Sequence, residues 1–374
     1  MAHLFHSSTL SPKITAIPSS KSNSMNESSQ ATTTPHFDLA VWQVHEVEND
    51  CELIIRTNNG RVFYCQVSPS RFHRSPAITT QYFRCLDLLR SGEEEIDDFY
   101  MEDAYHWLSK LFKPLITQLA PASLNIPGNG RPTLSHYLFA PYFVCSIEAI
   151  DGKIRPYQLN TQEHGWSKPV IVVDGDFITE LDQWTRLYHP SDIEICYNRA
   201  RDVLIKPPVK VIVKNGNGNQ VICFFKPFEL SFGPAHAKRE LLTFKKITMA
   251  KISPATEAWI CRLYGIVRDE TGLFGMLFTW INKKGVLSAT RAAQNPLSLR
   301  NRWATQIKDS LAKLHNEGII WGDAKAENIL IDEDDNAWII DFGGSYTIGW
   351  VDKDKAGTIE GDLQGLAKIL AILR

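Results

Sequence analysis

No apolar run in the 374 residues approaches the roughly 20 needed to cross a bilayer. Net charge is nearly absent too, since 40 Lys and Arg against 42 Asp and Glu leave −2. Without a global field, nothing draws the chain to nucleic acid or to an anionic membrane surface. The seven cysteines (Cys51, Cys65, Cys85, Cys145, Cys196, Cys223, Cys261) lack any C-x-x-C spacing and are odd in number, which argues against a disulfide framework or a zinc site. They read as buried or partly buried thiols in a reducing compartment, cytoplasm or nucleus. Residues 1–35 lack an apolar core followed by a small-residue cleavage site. They have no acidic residue before Glu27 and no Arg, and they read as a Ser/Thr-rich disordered tail.

What is present begins near Phe37. Leu39–Val47, Glu52–Arg56 and Val62–Val67 are β-prone, with Asn58-Asn59-Gly60 as a turn. Tyr105–Leu119 has helical spacing through Trp107, Leu108, Leu111, Leu115 and Leu119, and Tyr137–Ile147 reads as an aromatic strand. Residues 36–185 are therefore expected to form a small α+β module, with no catalytic constellation in it. From residue 191 the predicted order is three strands (Asp192–Tyr197, Val209–Val213, Gln220–Phe225), a helix (Ala235–Ile247) and two strands (Ile260–Val267, Leu273–Ile281). An amphipathic helix through Leu299, Trp303, Ile307, Leu311 and Leu314 follows, and then a hairpin.

The hairpin carries the chemistry. Ile329–Ile331 and Ala337–Ile340 are β-prone and Asp332–Asn336 demands a reversal, its acidic run reading as a solvated turn. Pairing the strands brings Asn328, just before the first, beside Asp341, just after the second. An amide oxygen and a carboxylate together, with room for phosphate oxygens, suit Mg²⁺. Asp323, five residues before Asn328, could accept a hydroxyl proton during attack on a phosphate, and Lys325 could neutralise the transferring group.

Asp323-Ala324-Lys325-Ala326-Glu327-Asn328 resembles the D-L-K-P-E-N catalytic loop of protein kinases, and Asp341-Phe342-Gly343 resembles their D-F-G. That resemblance implies Asp323 as catalytic base, Lys325 as a γ-phosphate contact, and Asn328 and Asp341 as metal ligands. Upstream, Val221-Ile222-Cys223-Phe224-Phe225-Lys226 resembles the V-A-I-K strand. Glu240 resembles the helix glutamate paired with that lysine, and Trp280 and Asn282 stand where backbone groups would meet the adenine. Asp362 resembles the aspartate that holds the catalytic-loop backbone, and Trp321 takes the place of a histidine, expected to stack with Phe342 and Phe244. The implied fold is an α+β, two-lobed protein-kinase-like domain over 191–374, its β-rich N-lobe about 191–282 and its helical C-lobe about 283–374. The pattern is similar to that of small fungal kinase-like proteins.

The sequence also departs from the family's pattern. Gly322 replaces an arginine, so no switch read through that arginine is expected. Asn215–Asn219 reads as a hairpin turn rather than a phosphate loop, and Asn198–Pro208 contains no glycine. The sequence ends at Arg374 inside the helix bearing Asp362, where the resemblance would continue with further C-lobe helices. A minimal domain, a replacement of those helices by the N-terminal module, and a truncation are each compatible. Three functions stay open. One is transfer of phosphate from ATP with Mg²⁺ to a protein, Ser/Thr-type because Lys325 follows the base. The second is a pseudokinase binding module, and the third a small-molecule phosphotransferase of the aminoglycoside or choline kinase type, whose H-G-D loop Gly322-Asp323 echoes.

Overall fold

Alternating apolar and polar positions from Phe37 onward fold as antiparallel strands in the computed structural model, which describes residues 34–45, 47–122, 131–160, 170–252, 258–344 and 347–374. Residues 1–33 of the expected tail lie outside the described residues. The chain forms two units, one from 1–125 with 143–160 and the other from 126–142 with 161–374.

In the first unit β1 (Phe37–Val44), β2 (Cys51–Thr57), β3 (Val62–Val67), β4 (Phe72–His73), β7 (Tyr142–Ile150) and β8 (Lys153–Gln158) share a sheet of order β1-β2-β3-β7-β4, with β8 on β7. A helix the sequence reading missed, α1 (Pro76–Ser91), buries Tyr82, Cys85, Leu86, Leu88 and Leu89 in this unit's core. The ribbon β5 (Glu95–Ile96) and β6 (Phe99–Tyr100) leads into α2 (Met101–Lys110) and α3 (Lys113–Leu119). The single helix expected over Tyr105–Leu119 is thus two helices. Pro114 stands in the first turn of α3, where its missing N–H has no helical partner to lose.

The second unit starts with α4 (Leu134–Leu138), so the strand expected from Tyr137 begins only at Tyr142. Thr133 caps this helix and bonds His136 in a capping box, which makes the helical turn the better local solution. Helix α5 (Gly175–Trp184) and β9 (Leu187–Tyr188) also belong here, although the sequence reading carried the N-terminal module to residue 185 and so included α5. Phe177 and Leu181 join this unit's core, and β9 pairs in parallel with β13 (Leu263–Asp269).

The N-lobe sheet runs β10 (Glu194–Cys196), β11 (Lys210–Lys214), β12 (Gln220–Pro227), β14 (Gly272–Thr279), β13 (Leu263–Asp269), β9. β14 is almost wholly apolar because both its faces are covered. Met276 and Phe278 enter the core shared with α6 (Gly233–Met249), while Leu277 packs with Cys223 and Phe225 into a second cluster containing Leu134 of α4.

The C-lobe holds β15 (Lys283–Val286), α7 (Ala289–Ala293), α8 (Leu297–Asn316), the hairpin β16 (Ile329–Asp332) and β17 (Ala337–Ile339), and α9 (Ile359–Ile372). The apolar stripe of α8 buries Trp303, Ile307, Leu311 and Leu314 in the same core as Phe244 of α6, so the two lobes share one interior. No described helix is long and apolar enough to cross a membrane.

The acidic turn of the hairpin is not merely solvated. Asp332 is buried, and its carboxylate accepts the N–H groups of Asp334 (3.0 Å) and Asn336 (2.7 Å), the Asn336 side-chain amide (3.0 Å) and Trp338 Nε1 (2.7 Å). Burial opposes the charge, but these donors outweigh it and hold the carboxyl below its usual range.

Candidate active site

Lys226 is the penultimate residue of β12, on the same face of the sheet as Phe224, and α6 carries Glu240 past it. The Lys226 ammonium lies 2.8 Å from Glu240 Oε1 and 2.7 Å from Asp341 Oδ1. Burial works against the ammonium, yet the two carboxylates outweigh it and hold the amine above its usual range. Burial also opposes ionisation of Asp341, and Lys226 beside it keeps that carboxyl below the usual range. Glu240 goes the other way, lifted by burial against the pull of Lys226. Solvent access explains the difference: the Glu240 side chain is 4% exposed and that of Asp341 37%.

Asp341 follows β17 with φ +62°, a left-handed conformation that Asp tolerates better than most residues. At the open end of the hairpin Ile340 N–H donates to Asn328 O at 3.0 Å, which puts Asn328 and Asp341 at one edge as the strand pairing requires. The Asn328 amide donates to Asp323 O (2.9 Å) and Oδ2 (2.8 Å), so its Nδ2 faces Asp323. Its Oδ1 and the second Asp341 oxygen are hard donors beside a lysine. They fit a small divalent cation that takes the rest of its shell from water and phosphate.

Asp323 is buried. Its Oδ2 meets Lys325 Nζ at 2.7 Å, and its Oδ1 accepts the Thr347 hydroxyl at 2.9 Å. Lys325 Nζ in turn donates to Thr347 Oγ1 at 3.0 Å. Sequence reasoning missed Thr347, because nothing in the pattern marks a hydroxyl six residues beyond Asp341.

The loop carrying Asp323 is fixed from below by α9. Asp362, 2% exposed, accepts Trp321 N–H at 2.7 Å and Gly322 N–H at 2.8 Å, with His315 Nε2 2.9 Å away. These bonds tie the loop backbone to α9, as the resemblance implied for Asp362. Gly322 has φ +85°, and a Cβ there would stand 2.9 Å from Gly344 Cα. The glycine pair after Asp341 therefore excludes an arginine, or any side chain, before Asp323.

Trp321 departs from its expected stacking. Phe244 and Phe342 meet edge-on with ring centres 5.4 Å apart, whereas the buried Trp321 turns its Nε1–H to Ile340 O (2.9 Å) and Asp341 O (3.2 Å). A buried indole N–H needs an acceptor, and here the strand end offers two. Trp280 and Asn282 follow β14, but the Asn282 carbonyl accepts from Glu333 N–H at 2.9 Å and Trp280 Nε1 donates to Asn282 Oδ1 at 2.7 Å. Trp280 N–H itself faces Ile222 O at 3.4 Å. Both residues are thus engaged, Trp280 with Asn282 and Ile222, and Asn282 with the hairpin of the C-lobe.

Asn215–Asn219 forms the tight turn between β11 and β12, with Asn215 N–H donating to Asn219 O at 2.9 Å. The glycine-free connection from β10 to β11 instead buries Leu204 and Ile205, Leu204 joining the cluster on the sheet face away from α6.

Residues 233–360, about a third of the chain, match the family described as protein kinase domain, a stretch that includes Glu240, Asp323, Asn328 and Asp341. The chain is 32% identical over 120 residues to serine/threonine-protein kinase PKH3 of Saccharomyces cerevisiae, covering 30% of this chain and 12% of that protein. It is 35% identical over 109 residues to serine/threonine-protein kinase PDK1 of Cryptococcus neoformans, covering 27% and 8%. Against cAMP-dependent protein kinase type 3 of Saccharomyces cerevisiae it is 30% identical over 135 residues, covering 30% and 34%. The matched stretches thus take up only a minor part of each relative. Residues 233–360 are similar to protein kinase domains, and the second unit has the α+β, two-lobed architecture that the resemblance implied.

Proposed function

We propose that the second unit binds ATP with Mg²⁺ and transfers the terminal phosphoryl group to a Ser or Thr hydroxyl of a protein. The observation that carries this reading is the double contact of Lys226 with Glu240 at 2.8 Å and Asp341 at 2.7 Å, a cation held ready beside hard oxygen donors. Glu240 anchors the ammonium from the buried side, and Lys226 steadies the nucleotide's phosphates. Asn328 Oδ1 and Asp341 hold the divalent ion, whose charge offsets that developing on the phosphates. Asp323 accepts the proton of the attacking hydroxyl, and Lys325 neutralises the transferring group. The names of the three relatives described above, serine/threonine or cAMP-dependent protein kinases, support a protein substrate. The cysteine usage supports a cytoplasmic or nuclear setting.

A nucleotide-binding module without catalysis is the second reading, favoured by one feature. The connection between β10 and β11, which would lie over the phosphates, has no glycine and turns Leu204 and Ile205 inward. Transfer of labelled terminal phosphate to a generic basic protein separates the two. Phosphoryl transfer predicts incorporation that Asp323→Asn abolishes. Nucleotide-dependent stabilisation with no incorporation contradicts it and supports the module.

A further inference from the structure

A second set of ionisable side chains converges at the β9 edge of the N-lobe sheet. β9 pairs in parallel with β13, Tyr188 beside Val267, so His189 emerges next to the turn that follows Asp269. One ring nitrogen of His189 and one oxygen each from Asp269 and Glu270 lie within 4.8 Å of one another. These three side chains, with Leu187, Tyr188 and Arg268, line a cleft of about 360 Å³. Asp269 is only 8% exposed. Its Oδ1 accepts the Thr271 N–H at 2.7 Å and the Thr271 hydroxyl at 2.6 Å, while its second oxygen meets no donor among the described residues. Arg268, the adjacent cation, turns its guanidinium onto the Asp269 carbonyl at 3.0 and 3.2 Å. Among the described residues neither carboxylate is paired with a Lys or Arg. Two carboxylates held this close without a cation repel each other, and a bound cation removes that penalty.

His189 is oriented as a ligand. Its Nδ1 lies 2.7 Å from Ser191 Oγ, whose own hydroxyl reaches Asp192 Oδ1 at 3.3 Å. Donation from Nδ1–H to Ser191 and on to Asp192 leaves a lone pair on Nε2, the arrangement that holds metal-bound imidazoles. The Ser191 N–H also approaches Nδ1, at 3.3 Å, and favours the opposite tautomer; a cation on Nε2 selects the first.

We propose that His189, Asp269 and Glu270 bind a first-row divalent cation, with Zn²⁺ the best match. An imidazole nitrogen beside two carboxylate oxygens suits Zn²⁺ better than Mg²⁺ or Ca²⁺, which take oxygen ligands. None of the seven cysteines takes part, so this is not the thiolate kind of site that their spacing argues against. Three protein ligands leave a fourth position to water. The ion ties the end of β9 to the turn between β13 and β14, and it shares no residue with Asn328 and Asp341.

Full-length protein stripped of metal by chelation is titrated calorimetrically with Zn²⁺ alone, without nucleotide. The proposal expects one ion per chain that Asp341→Asn still binds. His189→Gln and Glu270→Gln, both at exposed positions, should each weaken binding by more than about 10-fold, the loss typical of an outer-shell partner alone. Zn²⁺ should also slow amide exchange at residues 187–189 and 268–271. No binding by the wild type, equal affinity in either variant, Mg²⁺ held as tightly as Zn²⁺, or unchanged exchange in both segments overturns the inference. Each of these results leaves the proposed phosphoryl transfer untouched, because that is read from MgATP and Asp323.

Discussion

The two units differ in what they bury. Among the described residues, the first hides polar groups without a carboxylate: Arg56, Thr57, Asn59, Ser75, Ser109 and Ser146. The second hides Glu240, Asp269, Asp323, Asp332 and Asp362. Burying an acid is costly unless it is paired or hydrogen-bonded, so a fold that buries several has a reason for each. Asp332 shapes a turn and Asp362 holds a loop, whereas Glu240 and Asp323 point at other charged groups. The contrast supports placing the proposed chemistry in the second unit, while the first is an α+β body built around apolar packing.

The comparison can be broken by substitution. The largest effect expected is on transfer rate: Asp323→Asn should lower it about 10²- to 10⁴-fold, measured with labelled ATP on matched folded protein. Next is Lys226→Met, which strands the buried Glu240 charge and should cost roughly 3–5 kcal/mol at pH 7 in denaturant unfolding. Glu240 already has a raised pKa, and losing Lys226 raises it further. Its penalty falls on the ionised form above that pKa, so the deficit should shrink as pH falls and Glu240 takes up a proton. A deficit flat from pH 8 to 5 contradicts the assignment. Leu88→Ala, in the first unit, should cost about 2–5 kcal/mol with no such pH dependence, because it removes only apolar packing.

Smaller effects sharpen the picture. Asp341 has a depressed pKa, so its contribution is present above the unfolded value, about 3.9, and lost as pH falls through the folded one. Asp341→Asn should then lower stability at pH 7 by about 1 kcal/mol or less, since the side chain is partly exposed, and the difference should shrink as acid titration passes through the folded pKa of Asp341. Least of all, burial pushes the thiols of Cys51, Cys85, Cys223 and Cys261 up to about 12, so native protein at pH 8 should resist alkylation at these four. Rapid labelling of Cys261 shows that its packing opens.

Much of the second unit was legible because its signals are local. The strand before Lys226, the stripe of α8 and the turn between β16 and β17 each follow from period or turn chemistry. Helix α1 was missed because its buried face is made partly of Tyr82 and Cys85, broken up by Thr79, Thr80 and Arg84. Ser75-Pro76 at its start was the available signal. α5 was grouped with the N-terminal module because unit membership depends on long-range packing, such as that of Phe177 and Leu181 in the core of the second unit. In the site, residue types and spacing pointed to Asp323, Asn328 and Asp341, and the resemblance to kinase motifs added Lys226 and Glu240. They could not reveal that Gly322 faces Gly344 or that Thr347 reaches Asp323, since both depend on the path of the chain after Asp341.

The central claim is that Lys226, held by Glu240 and Asp341, forms a nucleotide-binding centre. Thermal denaturation of wild-type and Lys226→Met protein with and without MgATP tests it most directly. Nucleotide at about a hundred times its dissociation constant stabilises a binder by about 2.7 kcal/mol, and the account predicts such an upward shift for the wild type and none for Lys226→Met. No shift in the wild type, or an equal shift in both, contradicts it.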